Sequence, residues 1–449
     1  MKLKRPVLTA VVAGVLLLIA VIVIWRMSIA AANKDRLRAI AARGEPIDLV
    51  ALDRFYAAAP DSSNAALIWL KGAGAITTEP GSQLLNLSIK WHTPLSADQI
   101  EAGTNLLSAN KEALGLFRAA AALPASRYPV RLSQYPVTNF QHLADVKSVA
   151  QLLRLQAVVT AQQGDRTRSA EAVTHIFAAG RSLETEPFLI SQLVRFAVNT
   201  IGTFSLQFAL NRLAFTDTEL AAIQAVVAQA DNTNGLRFAL LGERASFVTF
   251  LRDPQRALAV NPTLAPTGAQ ATLAEVFLWP MARAVGFWQR DLRFGIDALT
   301  TNIMLASLPS PQRFYSATNS EAIARQAQAG KYILTALLLP ALQKAVERDA
   351  VHSAHVRNAV VAVAIERFRL GNGGNLPESL SVLVPSYLKE LPIDPYDGKP
   401  VRYKRTDKGY VVYCIGRDET DDGGTEKVPN APKGAPEDVT FIVERTENR

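Results

Sequence analysis

The chain holds a single cysteine, Cys414, in 449 residues. One thiol cannot close an internal disulfide, so no disulfide framework holds this fold. With only five histidines and one cysteine, no Cys/His zinc spacing occurs either. Cys414 lies in an alternating apolar run and reads as a small buried hydrophobe. A Walker-type phosphate loop is missing. Gly371-Asn372-Gly373-Gly374 follows a helical stretch rather than a strand, so it ends a helix and does not cradle phosphates. Neither a Gly-x-Ser-x-Gly elbow nor a His-Glu-x-x-His pair is present. The formal charge is +8. The basic residues are scattered and the C-terminal tail is acidic. Without a basic stripe, nucleic acid is excluded as the expected partner.

What is present begins with a membrane segment. Lys2, Lys4 and Arg5 precede an uncharged run over residues 6–25, the ~20 apolar residues a helix needs to cross the hydrocarbon core. Trp25 and Arg26 suit the far interface. A cleaved signal peptide carries an apolar region of only about 7–15 residues. Residues 1–32 are therefore expected to be an uncleaved signal anchor, with processing at Ala30-Ala31-Ala32 as the alternative. The basic N-terminus points to the cytoplasm, although Arg26, Lys34, Arg36 and Arg38 reduce the asymmetry. The expected placement is the bacterial inner membrane, single pass, with the body in the periplasm.

About half the residues are apolar and a fifth are charged, an ordinary globular mix with room for two or three domains. The pattern predicts a mainly α fold, with a helical domain over residues 33–340 and a small α+β head over 341–449. Ser96 with Gln99 and Thr216 with Glu219 are capping-box signals. The first predicts a helix to about Ala122, the second one to about Gln229. Helices are also expected over His142–Gln163 and Ser169–Leu183, joined by a Gly164-Asp165 turn as an αα-hairpin. Phe188–Leu213 is apolar but contains Arg195 and Asn199. A charge at mid-bilayer is costly, so it reads as a core helix rather than a second span. Leu273–Phe294 mixes aromatics and arginines and reads as a wall of the helical core, with a bilayer-surface helix as the alternative. Thr318 with Glu321 marks a further helix start, and Pro340 is expected to kink that helix.

The last hundred residues carry the clearest chemistry. Val356, Val360, Val363, Ala364 and Phe368 share one helix face. Asn372 to Gly374 ends that helix, because these residues tolerate positive φ. Pro377 opens a short helix with Leu380, Leu383 and Val384 inward. Val401–Lys404 and Tyr410–Ile415 alternate as a hairpin, and Val439–Val443 adds a third strand. Asp418, Asp421 and Asp422 then crowd one loop before Gly423 and Gly424. Calcium wants six to eight oxygens from such adaptable loops. The plain alternative is a solvated acidic turn.

The order Asn372-Gly373, Pro377, Leu391-Pro392-Ile393-Asp394-Pro395 and Ile415-Gly416-Arg417-Asp418 resembles the globular head of type II secretion major pseudopilins. That resemblance covers about a fifth of the chain. It implies a small sheet packed on a helix, with Asp418, Asp421 and Asp422 as calcium ligands. The whole chain looks like bacterial membrane-anchored proteins that end in such a head.

Outside that loop, His352 and His355 share a helix face with Glu347, a possible metal trio opposed by the simpler reading of a solvated face. No Asp/Glu pair is singled out by its spacing as an acid and base. The expected function is therefore non-catalytic. The chain would be a membrane-anchored envelope protein that binds a protein partner through its helical domain and carries a calcium-stapled head. The competing expectation is an envelope hydrolase with its site in the helical domain.

Overall fold

The computed structural model describes residues 5–78, 82–85, 89–134, 140–232, 234–252, 286–426, 432 and 434–444. Most of Leu273–Phe294 therefore lies outside the described residues. Thirteen helices of seven or more residues are described: α1 (Arg5–Ala42), α2 (Leu49–Phe55), α3 (Ala65–Gly74), α4 (Ala97–Ala109), α5 (Lys111–Ala121), α6 (Gln141–Gln162), α7 (Arg166–Arg181), α8 (Leu189–Leu210), α9 (Asp217–Ala230), α10 (Asn234–Arg252), α11 (Phe287–Ala306), α12 (Gln312–Ala329) and α13 (Ile333–Gly371). Beyond them lies a sheet of three antiparallel strands: β1 (Arg402–Thr406), β2 (Gly409–Cys414) and β3 (Val439–Glu444).

Helix α1 has 38 residues and is about 57 Å long at 1.5 Å per residue. A hydrocarbon core is about 30 Å thick, so this helix is long enough to span it and continue beyond. Its apolar side chains from Val11 to Met27 are exposed, and the helix passes the length and hydropathy requirements of a span. The continuation is docked. Ile29, Asn33, Leu37 and Ile40 are buried, and their spacing puts them on one face. That face meets α11. Asn33 Nδ2 donates to the Gln289 carbonyl at 3.0 Å, and Arg36 donates to both Asp297 oxygens at 2.7 and 3.0 Å. The apolar helix thus enters the body as a packed element rather than a loose tether. Helix α8 also meets the apolar criterion, but two-thirds of it is buried, with Gln192, Arg195 and Asn199 inside. It is a core helix, as its charge implied.

Both capping boxes form as the sequence suggested. The hairpin of α6 and α7 turns at Gly164, with φ +82°, and Asp165 caps α7 by accepting from the Arg168 N–H at 3.0 Å. Three expectations need correction. The helix expected from Ser96 to Ala122 breaks at Asn110. The Asn110 side chain is buried and bonds both the N–H and the C=O of Thr77, and this tertiary pairing outweighs local helix propensity. Thr318 is not a helix start but lies inside α12. The break comes instead at Gly330-Lys331, where Lys331 adopts φ +56°. The Tyr332 N–H bonds Ala327 O at 2.9 Å, the closing bond of a Schellman-type end. The segment after Pro377 forms a single 3₁₀ turn, Leu380–Leu383, with both leucines buried.

Helix α13 is one element of 39 residues with Pro340 inside it. Its N-terminus is capped by the buried Asp291, which accepts from the Leu334 N–H at 2.8 Å and the Thr335 hydroxyl at 2.6 Å. A carboxylate there also meets the positive end of the helix dipole. The apolar core does not part at residue 340. One cluster gathers α1, α10, α11, α12 and the start of α13. The other runs from α2 through α9 into the second half of α13 and the sheet, ending in Tyr410, Val412, Cys414, Phe441 and Val443.

In the sheet, Tyr403 pairs with Val412, and Val412 with Phe441. Helix α13 packs beneath β2 and β3. Asn358 Nδ2 donates to Val439 O at 2.7 Å, and the Tyr410 hydroxyl donates to Ala362 O at 3.1 Å. A small sheet over a helix is the architecture expected of the head.

The docked face of α1 makes a specific prediction. Leu37→Ala deletes a buried side chain and should lower stability by about 2–4 kcal/mol, read as a fall in melting midpoint in detergent, while alkaline extraction still leaves the chain in the membrane. An unchanged midpoint would show that the anchor does not pack on the body.

Candidate functional site

The head is organised around one arginine. Arg402, at the start of β1, donates to Asp394 Oδ2 at 2.8 Å, Asp397 Oδ2 at 2.6 Å and Asp421 Oδ2 at 2.8 Å. Asp394 belongs to the Leu-Pro-x-Asp-Pro turn and is fully buried. It also accepts from the backbone N–H groups of Tyr396 at 2.9 Å and Ile415 at 2.7 Å. Burial pushes its carboxyl up to about 6, against the pull of those N–H bonds. The turn, the first strand and the end of the second are thereby tied at one point.

The acidic loop joins the same point. Burial disfavours the charge on Asp421, but the Gly423 N–H and Arg402 outweigh it and hold this carboxyl below its ordinary range. Asp422 Oδ2 accepts from the Glu437 N–H at 3.0 Å. Asp418 is exposed, its carboxylate accepting from the Thr420 N–H and its carbonyl from the Thr420 hydroxyl, both at 3.3 Å and within its own turn. Asp438 was a lesser candidate by sequence. It is buried, with Oδ2 taking the Gly424 N–H at 2.8 Å and Oδ1 without a partner. The three sequence-proposed carboxylates thus address three different partners. Among the described residues, no group of three or more His, Cys, Asp or Glu is placed to hold a metal ion. As arranged, they do not fit calcium's demand for six to eight converging oxygens, and the cation that faces Asp421 is Arg402.

The histidine pair also separates. His352 is buried, stacked on Phe196 at 4.6 Å between ring centres. Its Nε2 accepts from Asn199 Nδ2 at 3.0 Å. Burial, then the nearby Arg195, hold it neutral, well below its ordinary value. His355 lies against Phe204, edge to face at 5.5 Å, and burial lowers it to about 4. Glu347 pairs with Arg417 at 3.2 Å rather than with either imidazole.

His355, Glu347 and Arg417 meet in a feature that no local motif announced. A cleft of about 610 Å³ opens between the helical body and the head. Phe204 and Gln207 of α8, Phe314 of α12 and the Lys344–His355 stretch of α13 form one side. Tyr396, Arg417, Glu426, Glu437, Asp438 and the start of β3 form the other. The volume falls within the range of small-molecule and peptide pockets. Phe204 is half exposed at the opening, and the Phe314 ring meets Tyr396 edge to face at 4.8 Å. Lys344 and Arg348 stand one turn apart on α13, both exposed. The Tyr396 hydroxyl is buried with no hydrogen-bond partner. Sequence inspection missed Lys344, Arg348, Tyr396 and Phe204. The one available signal was the like-charged pair at i and i+4, which helix surfaces ordinarily avoid. No family model, curated protein or solved structure matches the chain.

These charges make two predictions. Arg402→Leu strands the buried Asp394 and should cost about 3–5 kcal/mol, read by chemical denaturation of the detergent-solubilised chain. A loss under 1 kcal/mol would show that the three carboxylates are held otherwise. The second concerns pH. His355 sits at about 4 in the folded chain against an ordinary 6.5. Between those values the unfolded chain binds more protons, so stability falls as pH drops from about 6.5, and the loss is complete below about 4. At pH 5 this amounts to about 2 kcal/mol. His355→Gln should therefore flatten the fall in stability between pH 7 and pH 5 by that amount. An unaltered pH dependence would rule out His355 as a source.

Proposed function

We propose that this chain is a single-pass, membrane-anchored envelope protein that binds a partner, rather than transforming a substrate, at the cleft between its helical body and its head. The body stands on the outer side of a bacterial inner membrane. The observation that carries this reading is the cleft itself: an aromatic floor, exposed cations on α13 and an unpartnered buried hydroxyl from the head converge there. Convergent polar groups in a well-formed concave site are the usual mark of a binding site. The docked stalk of α1 supports the anchoring role, because Leu37, Ile40 and the Arg36–Asp297 pair hold the body at a fixed attitude to the span.

Recognition fits the cleft better than hydrolysis. His355 is held neutral by burial and faces a phenyl ring rather than a hydroxyl nucleophile. Glu347 is engaged by Arg417. General base catalysis needs a base within hydrogen-bond reach of the proton it removes, and neither group is paired in that way among the described residues.

The pseudopilin resemblance supports this reading only in architecture, a small sheet over the end of a long helix in a membrane-anchored chain. In our proposal the acidic loop is neutralised by Arg402. A calcium ion would have to draw Asp421 away from that arginine.

The lone cysteine makes a clean labelling test possible, since Cys414 is fully buried. Single cysteines are placed at Phe204 in the cleft and at Lys111, an exposed position on α5. They are then treated with a membrane-impermeant maleimide. Both sites should react in cells whose outer membrane alone is permeabilised. Phe204→Cys should react several-fold more slowly in native membranes than in purified protein, and Lys111→Cys equally in both. Reaction only after lysis overturns the compartment. Equal rates at Phe204→Cys in both preparations overturn the cleft as the binding site.

A further inference from the structure

The cleft is bounded by a strand edge, and that edge narrows the chemistry of what fits it. Strand β3 is one of the two outer strands of the sheet. Its Ile442 carbonyl accepts from Gln207 Nε2 at 3.2 Å and from Asn211 Nδ2 at 3.0 Å. The Glu444 N–H donates to Asn211 Oδ1 at 2.7 Å. Alternate residues of an edge strand turn both backbone groups the same way, so Ile442 and Glu444 face away from β2, and α8 side chains cover them. Thr440 has the same parity and lines the cleft. Among the described residues nothing pairs its outward N–H and C=O. An open donor and acceptor on one residue is the pattern an extended peptide backbone satisfies.

Two further groups are left for a ligand. The Tyr396 hydroxyl is buried at 1 % exposure and has no partner, whereas a buried tyrosine hydroxyl ordinarily finds one. Lys344 and Arg348 face the cleft and enter no ion pair among the described residues; of the carboxylates that share it, Glu347 is taken by Arg417, Glu426 accepts from Trp91 Nε1, Asp438 accepts from the Gly424 N–H, and Glu437 stands beside it. A small free anion would use the two cations and leave the strand edge idle. A neutral peptide segment would use the edge and leave the cations idle.

We propose that the cleft binds the C-terminal end of an extended peptide. The peptide backbone pairs with Thr440, one of its carbonyls accepts from the Tyr396 hydroxyl, and its terminal carboxylate lies between Lys344 and Arg348. Its last side chain rests on Phe204. This inference rests on the cleft being the binding site and adds the class of ligand.

The test is fluorescence anisotropy on the full-length chain in detergent. The probe is a labelled alanine-rich hexapeptide ending in leucine, in three forms: free C-terminus, C-terminal amide, and amide with an internal aspartate. The free-acid peptide should bind saturably. The amide should bind at least about tenfold more weakly, as loss of a charge-assisted contact to a basic pair implies. Lys344→Ala with Arg348→Ala should weaken the free-acid peptide to the level of the amide. Tyr396→Phe, which keeps the ring in place and removes an unmet buried hydroxyl, should weaken it about threefold with a melting midpoint no lower than that of the unaltered chain. Equal binding of acid and amide overturns the proposal, as does wild-type affinity in the double variant or no saturation at millimolar peptide. Aspartate amide binding as well as the free acid would move the carboxylate from the chain end to a side chain and overturn the terminal assignment. If peptide binding fails while Phe204→Cys is still protected in membranes, the ligand class is wrong and the cleft still binds a partner. If both fail, the cleft is not a binding site.

Discussion

One continuous helix sets the geometry of everything else. Over Ile333–Gly371, α13 leaves the core that holds the end of α1, passes through the body and ends beneath the sheet. At 1.5 Å per residue it is about 58 Å long, and a helix that long holds its two ends in a fixed relation. Its beginning is clamped by Asp291 and its middle by the buried Arg313–Asp349 pair at 2.9 Å. Further along, Arg357 reaches both Asp231 and the Ile393 carbonyl, which joins the body to the head across a single side chain. Pro340 removes one backbone donor from this helix. Leu339 and Leu342 are buried on either side of it, so packing carries the helix through a position where propensity alone would end it.

The second constraint is charge inside the body. Arg195 and Arg244 are almost wholly buried, and burial lowers the affinity of both for their protons. Arg244 is answered by Glu45 at 2.7 Å, from the segment just after the anchor helix. Removing one member of such a pair costs more than the pair contributes over an apolar replacement. These contacts therefore act chiefly on which arrangement is allowed. The Glu45–Arg244 pair allows only those in which the end of α1 meets α10, which again locks the anchor to the body. Arg195 explains why an apolar helix of spanning length stays in the protein: its guanidinium has Asn232 O, and beyond it Asp349 and Asp231, to answer it there, and would have only lipid in a membrane.

What was legible in the sequence was whatever depends on neighbours in the chain. Capping boxes at Ser96 and Thr216, the Gly164-Asp165 hairpin and the alternation of the three strands are all local signals, and all appear. The failures share a cause. Asn110 breaks a helix because Thr77 is beside it in space. That Arg402 stands against Asp421 of the acidic loop is likewise a contact made in space. The end of α12 hides in Gly330-Lys331, where a lysine rather than a glycine takes the left-handed position. The cleft could not be read at all, because its walls come from α8, α12, α13, the Tyr396 turn and β3, segments whose meeting is a property of the whole fold.

That origin also bears on why the cleft stays open. Well-packed interiors leave few voids larger than a water molecule, and buried polar groups are nearly always bonded. The seam between body and head departs from both rules at the cleft. Specific contacts close other parts of it: Asn358 bonds Val439, Gln207 and Asn211 cover the β3 edge, and Arg357 bridges to the Asp394 turn. A second hollow of about 330 Å³ opens along it beside Asn211, Lys408 and Glu444. What sets the first apart is that the unpaired hydroxyl, the bare strand residue and the two like-charged side chains are gathered within it. Like charges at i and i+4 cost a helix a few tenths of a kcal/mol, and an unmet buried hydroxyl about 1–3 kcal/mol. Costs that fall together at one concave site are what the proposed occupant would meet.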